Sequence, residues 1–359
     1  MKNSPQKHTK IFLLITSLVL CCSLLLSACA STPAATAAPT TAPTTAATEP
    51  PAPTEAPAAT ATTAPTATTA PTATAAPTAT PAGISLTDGL KRQVKLEAPA
   101  QKIVSLAPSI TEILFAVGAG KQVIGRDDFS DYPAEAKSLP SIGGNMGKLN
   151  YEAITALKPD LVIASELTTP EQIKALEDLK LNVYYLSNPS DLDGMYAGLL
   201  AAGILTGKQA ESAALITSLK ARVDAVKAKL KDIQTHPKVF YELDATNPDK
   251  PYTAGPGTFI DSLITVAGGQ NIGASMPSPW AEISAEQIIQ ANPEIILLGD
   301  AAYGVTVESV AKRPGYSVLS AVKTNMIYTF DDNLVSRPSP RLVDGLETIA
   351  KLIHPEAFK

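Results

Sequence analysis

The stretch Lys208–Lys231, KQAESAALITSLKARVDAVKAKLK, decides how the rest of the chain is arranged. It holds neither Pro nor Gly and is rich in Ala, Leu, Lys and Glu, which give up little side-chain freedom in a helix. Leu215, Leu219, Val223, Val226 and Leu230 recur at spacings of four, four, three and four, which is one apolar face of a helix. Gly207 ends the pattern on one side and His236-Pro237 on the other. At about 1.5 Å per residue the helix would be roughly 36 Å long, enough to cross a small domain. Similar amounts of mixed strand and helix pattern lie on either side. The spacing predicts a spine between two lobes, with any binding site between the lobes.

Composition narrows the chemistry. The chain has 359 residues and a net charge of −5, and its Lys and Arg form no basic stripe, which argues against nucleic acid as a partner. Cys21, Cys22 and Cys29 all fall near the N-terminus, so the remainder has neither a disulfide framework nor a thiolate metal site. There is no GxSxG, Walker A, GxGxxG or HExxH motif. The histidines are His8, His236 and His354. His236 and His354 each precede a proline and read as surface residues. The chain therefore reads as a non-enzyme with no metal site of its own, although a carboxylate-only site stays open.

Residues 1–29 have the form of an export signal: Lys2, Lys7 and Lys10 precede the apolar run Ile11–Leu26. The end, Leu26-Ser27-Ala28-Cys29, resembles the bacterial lipobox, in which the Cys is acylated and becomes the new N-terminus. A plain transmembrane anchor, or an ordinary export signal with a chance Cys, is the alternative. Acylation would hold the protein on a membrane through the burial of its CH₂ groups. Residues 30–82 are all Ala, Thr, Pro, Ser or Glu and have no large apolar side chain with which to build a core. They read as a disordered tether, extended by its prolines, and such Thr/Pro tracts can also be O-glycosylated stalks.

The globular part divides into a first lobe (83–190), connecting helices that include the spine (191–235) and a second lobe (236–359). In the first lobe a hairpin is expected around Thr87-Asp88-Gly89. It is followed by strands at Ile103–Leu106, Val123–Gly125, Leu161–Ala164 and Val183–Leu186, and by helices at Thr111–Val117, Tyr151–Leu157 and Glu171–Leu179. A helix over Leu192–Leu205 precedes the spine. In the second lobe, strands are expected at Val239–Leu243, Ile295–Leu298 and Ile327–Phe330, and helices at Thr258–Ala267, Ala285–Ala291 and Arg341–Ile353. Pro251–Gly257 and Pro277–Ala281 read as loops. Alternating strands and helices predict an α/β fold with parallel sheets covered on both faces.

The lobes share a repeat at an offset of 134 residues. Glu152, Ile154, Pro159, Asp160 and Leu161–Ile163 match Glu286, Ile288, Pro293, Glu294 and Ile295–Leu297. Both copies read as helix, Pro-acid turn and buried strand. Two similar lobes with a cleft between them suit a ligand trap.

The segments IVSLAPSITEILFAVG, DYPAEAKSLPSIGG, NYEAITALKPDLVIAS, SPWAEISAEQ and SRPSPRLVDGLE together resemble the substrate-binding proteins of ABC importers for vitamin B12, ferric siderophores and haem. The resemblance covers nearly all of 84–356. It implies two Rossmann-like α/β lobes joined by a single long helix, a ligand cleft between them and little lobe movement on binding. It also implies a monomer that delivers its ligand to a permease dimer with ATPase subunits, one Glu on each lobe meeting arginines of the permease. The matching residues are Glu152 and Glu286. Taken alone, each also reads as an acid favoured in the first turn of a helix by the dipole.

Loops at strand ends supply the expected ligand-binding residues. They are Ser109, Phe129, Asn145, Met146, Ser165 and Glu166 in the first lobe, and Tyr252, Trp280, Tyr303, Asp331 and Arg337 in the second. Trp280, the only Trp, suits stacking on a flat macrocycle or packing as a lid on its own lobe. Arg337 suits an anionic ligand group or a nearby carbonyl. Vitamin B12 binders of this type carry an aromatic where this chain has Ser165. Haem would favour a Tyr or His ligand, for which Tyr252 and Tyr303 are placed. Siderophore pockets offer several cations, whereas only Arg337 and Arg126 fall here. A corrinoid is the first expectation and an iron chelate the second, in either case a bound cargo and not a cofactor. A surface sensor or scaffold working without a permease is the alternative of another class.

Overall fold

The computed structural model describes residues 83–144 and 147–359. The expected export signal, Cys29 and the expected tether over 30–82 lie outside the described residues. The chain opens with an antiparallel hairpin, β1 (Ile84–Thr87) and β2 (Gln93–Leu96). The first lobe continues with β3 (Ile103–Ser105), α1 (Pro108–Ala116), β4 (Val123–Arg126), α2 (Tyr151–Leu157), β5 (Leu161–Ala164), α3 (Pro170–Asp178) and β6 (Val183–Tyr185). Then come α4 (Leu192–Thr206) and the spine, α5 (Gln209–Leu230). The second lobe begins with β7 (Lys238–Glu242), β8 (Tyr252–Ala254), α6 (Phe259–Val266), β9 (Gln270–Asn271), β10 (Trp280–Glu282), α7 (Ala285–Ala291) and β11 (Ile295–Leu298). It ends with α8 (Val307–Ala311), α9 (Ser320–Lys323), β12 (Ile327–Thr329), α10 (Asn333–Ser336) and α11 (Leu342–Ile353).

Each lobe is built on a four-stranded parallel sheet, of order β4-β3-β5-β6 in the first and β9-β7-β11-β12 in the second. The orders correspond strand for strand, so the repeat extends beyond its matched residues to the topology of both lobes. Its caps correspond as well. Asn150 Oδ1 accepts from the amide of Ala153 at the start of α2, and Ser284 Oγ accepts from the amide of Gln287 at the start of α7. Both helices close on a left-handed residue, Lys158 with φ 51° and Asn292 with φ 48°.

Side-chain alternation along the strands sorts the core. Ile103, Leu161 and Ile163 in the first lobe and Val239, Ile295 and Leu297 in the second belong to one hydrophobic cluster that also takes in Leu219, Val223 and Val226 of the spine. The opposite faces close locally, with Val104, Val162 and Ala164 in one cluster and Phe240, Ile296 and Leu298 in another. Leu215 and Leu230, the outer members of the spine's apolar face, pack half-buried on the shared cluster. The spine is thus the middle of a core common to both lobes, each fully buried aliphatic side chain contributing about 1.5–3 kcal/mol. Gly207 ends α4 at φ 73°, a left-handed cap that releases the chain into the spine. Arg222 of the spine reaches Glu347 at 2.9 Å and Asp344 at 2.6 Å on α11. Among the described residues no helix is long and apolar enough to cross a membrane.

Three expectations need correction. Pro251–Gly257 and Pro277–Ala281 are not plain loops: they contain β8 and β10, which pair antiparallel with Trp280 opposite Ala254. Each strand is only three residues long and finds its partner far along the chain, so no local pattern announces it. His354 is not a surface residue but 1 % exposed, because the turn Pro355–Phe358 folds it under. Its ring reaches the Gly268 carbonyl and Glu356, each at 3.2 Å. His236 is exposed, as expected.

Candidate functional site

A parallel sheet directs its strand ends, with their loops and free amides, toward one edge, and there the two lobes face each other. The residues just past β5 are Ser165 and Glu166, and those just past β11 are Gly299 and Asp300. A cavity of about 380 Å³ is walled by Glu166, Asn188 and Pro189 from the first lobe and by Thr258, Phe259 and Trp280 from the second. Trp280 is 40 % exposed, and its indole meets the Phe259 ring edge-on, with centroids 5.8 Å apart at 63°. The two readings of this residue therefore coexist, since the indole packs on its own lobe and also walls the cavity opposite Glu166.

A second cavity, of about 590 Å³, lies on the second lobe and is lined by Asp244, Thr246, Tyr252, Asp300, Tyr303 and Asp332, among others. Tyr303 is 88 % exposed on the 3₁₀ turn after β11. Asp300 is 3 % exposed; its Oδ2 accepts from the amide of Ala245 at 2.9 Å. Burial pushes the Asp300 carboxyl above the ordinary carboxylate range, against the hydrogen bond from Ala245. Burial likewise raises Asp332, which accepts from the Tyr241 hydroxyl. Asp244 is lowered by hydrogen bonds from the Thr246 side chain and amide. Gly299 is needed here, because a Cβ would lie 2.5 Å from the Tyr241 hydroxyl oxygen and 3.0 Å from Asp332 Oδ1.

The remaining expected residues separate. Ser109 is buried in a narrow crevice beside Ile113, Asn188 and Pro338, at the bottom of the lobe junction. Ser165 is buried too, and its hydroxyl accepts from the amide of Leu167 at 3.3 Å in a turn, so it does not open on the cleft. Phe129 is exposed on the loop after β4 and lines neither cavity. Asp331 turns its carboxylate to the Asn333 amide and side chain, and its neighbour Asp332 is the acid that lines the second-lobe cavity. Asn145 and Met146 lie outside the described residues.

Arg337 departs most from expectation. Its guanidinium donates to Glu112 at 3.2 Å and Asp131 at 2.6 Å, both on the first lobe, and to the Phe129 carbonyl at 3.4 Å. Arg341 joins it on Glu112 and lies 4.3 Å from the centre of the Tyr132 ring. These side chains make a bridge between the lobes, and Arg337 is committed to it. Arg126, the other expected cation, donates to the carbonyls of Asp127 and Lys137 within its own lobe.

Glu152 and Glu286 sit exposed in the first turns of α2 and α7, at equivalent places on the two lobes. Hydrogen bonding to its own backbone amide, then to Ser284, lowers the Glu286 carboxyl. Asp244, Asp300 and Asp332 were missed from the sequence, but the repeat held a signal for one of them. Continued three residues past Ile163, the offset of 134 sets Glu166 against Asp300. A wider hollow of about 930 Å³ lies by His236, Lys238 and Gln270, at the starts of β7 and β9. That is the end of the sheet opposite the cleft, where this architecture places no ligand.

The geometry agrees with comparisons against known proteins. The periplasmic binding protein family matches residues 103–334. The ABC transporter substrate-binding lipoprotein YvrC of Bacillus subtilis is 32 % identical over 281 residues, covering 77 % of this chain and 87 % of its own. The crystal structure of the periplasmic vitamin B12 binding protein BtuF of Vibrio cholerae superposes with a TM-score of 0.62 at 26 % identity, over 73 % of this chain and 99 % of the other. The apo form of the periplasmic heme-binding protein RhuT from Roseiflexus sp. RS-1 gives a TM-score of 0.64 at 28 % identity, over 72 % and 99 %. With two equivalent α/β lobes, a shared spine and a cleft at the strand ends, the chain belongs to the periplasmic binding protein family: it is a binding protein and not an enzyme.

Proposed function

We propose that this chain is the lipid-anchored, extracytoplasmic substrate-binding component of an ABC importer, that it captures a corrinoid in the interlobe cleft, and that it passes the corrinoid to a permease docked on Glu152 and Glu286. The observation that carries the ligand reading is the cavity between Glu166 and Trp280, which has walls from both lobes and an aromatic side chain but no Lys, Arg or His. A flat macrocycle with a neutral amide periphery suits such a wall better than a polyanionic ferric chelate, which would leave its charges unpaired. Cys29 would supply the lipid anchor and 30–82 the tether. The spine, seated in a core common to both lobes, supports a fixed spacing between Glu152 and Glu286.

The test is a visible-spectrum titration of the purified chain with cobalamin, haem and a ferric siderophore, followed in parallel by Trp280 fluorescence. Cobalamin binding with quenching supports the reading, and binding of a siderophore alone removes it. Haem is the second reading, on the ground that Tyr303 presents an exposed phenol at the second-lobe cavity, the side-chain type that serves as an axial ligand for iron.

A further inference from the structure

We propose that the start of α1 is a subsite for one electron-rich oxygen of the bound ligand, held by the Ser109 hydroxyl and by the amides of Ser109 and Ile110. The proposal rests on the reading of the interlobe cleft as the ligand site and specifies the chemistry of its floor.

The sequence leaves this helix start without a cap. The first amides of any helix have no carbonyl one turn earlier, and a Ser, Thr, Asn or Asp at the N-cap supplies the missing acceptor. The N-cap of α1 is Ala107, whose methyl group cannot accept a hydrogen bond. Pro108 follows with no N–H to satisfy, and the Thr111 amide already donates to the Ala107 carbonyl at 3.1 Å. The amides of Ser109 and Ile110 remain, and neither has an acceptor among the described residues. Both residues are buried, where native proteins pair nearly all such groups. The second lobe closes the corresponding start from within. There α6 follows β7 as α1 follows β3, and the Thr258 hydroxyl accepts from the Asp261 amide at 3.1 Å.

A side chain supplies the independent observation. Ser109 is 9 % exposed, and its hydroxyl makes no hydrogen bond among the described residues. Unlike the hydroxyls of Tyr196 and Tyr316, which are sealed off without a partner, its oxygen stays open to the crevice that Ser109 lines. The neighbouring hydroxyls are taken: Thr111 donates to Ser105 at 2.8 Å, and Ser105 to the Ala107 carbonyl at 3.1 Å.

The crevice has a free volume of about 10 Å³, room for about one oxygen atom or one water. No charged side chain lines it, and Pro338 of the second lobe closes one side. Asn188 and Pro189 line it and also wall the interlobe cavity beside Trp280, so the crevice adjoins the place where a ligand rests. Two amides and a hydroxyl thus meet at the positive end of a helix dipole. That set favours a carboxylate, phosphate or amide-carbonyl oxygen over a cationic group. On a corrinoid such oxygens belong to the ring amides and to the phosphodiester of the nucleotide loop, and on haem to the propionates.

The full chain and its Ser109→Ala, Ala107→Ser and Ser284→Ala variants would be titrated with cobalamin, cobinamide and haem, and their melting temperatures measured alongside. Cobalamin carries the ring amides and the phosphodiester, cobinamide the ring amides alone. Ser109→Ala removes one donor. Ala107→Ser supplies the missing cap, so that its hydroxyl competes with a ligand for the amides. Ser284 caps α7 and controls for helix-start stability away from the cleft. Ser109→Ala should bind about three- to tenfold more weakly, the worth of one uncharged hydrogen bond. Ala107→Ser should melt above the parent and bind more weakly by a similar factor, whereas Ser284→Ala should melt lower and bind as the parent does. A loss shared by cobalamin and cobinamide assigns the subsite to a ring-amide carbonyl, and a loss confined to cobalamin assigns it to the phosphodiester. Unchanged affinity for both corrinoids in Ser109→Ala and in Ala107→Ser overturns the subsite and leaves the corrinoid reading standing, a trapped water then filling the crevice. Haem bound in place of cobalamin, and weakened in both variants, keeps the subsite and removes the corrinoid. No ligand bound by the folded parent overturns both.

Discussion

Arg341 of the second lobe holds Glu112 of the first, its Nε donating to Oε2 at 3.0 Å and its Nη2 to Oε1 at 2.8 Å. Glu112 lies on α1 and is 3 % exposed; Arg337 and the Ser339 hydroxyl complete its shell. The carboxylate is closed off from water and takes these hydrogen bonds from the other lobe. Truncating one side of such a cluster strands charges that cannot be hydrated. Glu112→Ala should lower unfolding stability by about 3–5 kcal/mol, read as a shift in the urea midpoint. Glu112→Gln should cost less than Glu112→Ala, and its effect with Arg341→Gln should fall well short of additive. Additive losses would mean that the bridge is not a cooperative unit.

The indole of Trp280 is the chain's only intrinsic tryptophan reporter, and it stands at the wall of the interlobe cavity. Its edge is fixed by Phe259. Stacking on a ligand ring is worth about 0.5–1.5 kcal/mol beyond the area buried, so Trp280→Ala should weaken corrinoid binding about tenfold. Trp280→Phe should recover most of that loss. Full affinity in Trp280→Ala would make the residue a lid for its own lobe only.

Glu152 and Glu286 face solvent, and among the described residues neither forms a salt bridge. The double variant Glu152→Ala, Glu286→Ala should therefore bind ligand with unchanged affinity and nearly retain its melting temperature, losing only a small helix-dipole contribution at each site. Uptake by cells that depend on this chain should fall sharply. Retained uptake would show that docking uses another surface.

These cases separate what was legible in the sequence from what was not. α2, β5, α7 and β11 begin and end where the sequence places them, because each is bounded by a local signal: a side-chain cap, a left-handed stop and a Pro-acid turn. The spine was legible because its periodicity runs over six turns of unbroken helix formers. The site was less so. Arg337 meets Glu112 across 225 residues of chain, and no local pattern encodes that distance. The two acids at the chain's Asp331-Asp332 step are indistinguishable by composition, and only the turn geometry sends one to Asn333 and the other to the cavity. Asp300 was within reach, since the repeat that identified Glu286 also assigns a counterpart to Glu166.

Asp300 links stability to pH. Burial raises its folded-state pKa above the ordinary 3.8, so folding favours the protonated form. Below pH 3.8 the carboxyl is protonated in folded and unfolded chains alike and carries no penalty. As pH rises through the window between 3.8 and the raised value, the unfolded chain ionises first and the folded state loses stability relative to it. Above that window the penalty is constant. Asp300→Asn removes it: the amide oxygen can still accept from Ala245, and the amide N–H is free to face the buried Glu242 carboxylate. The variant should therefore be more stable than the parent at pH 7 and equal to it near pH 3.5, measured as urea midpoints at both values. Equal midpoints at pH 7 would mean that neighbouring groups, Glu242 and Arg313 among them, already compensate the charge.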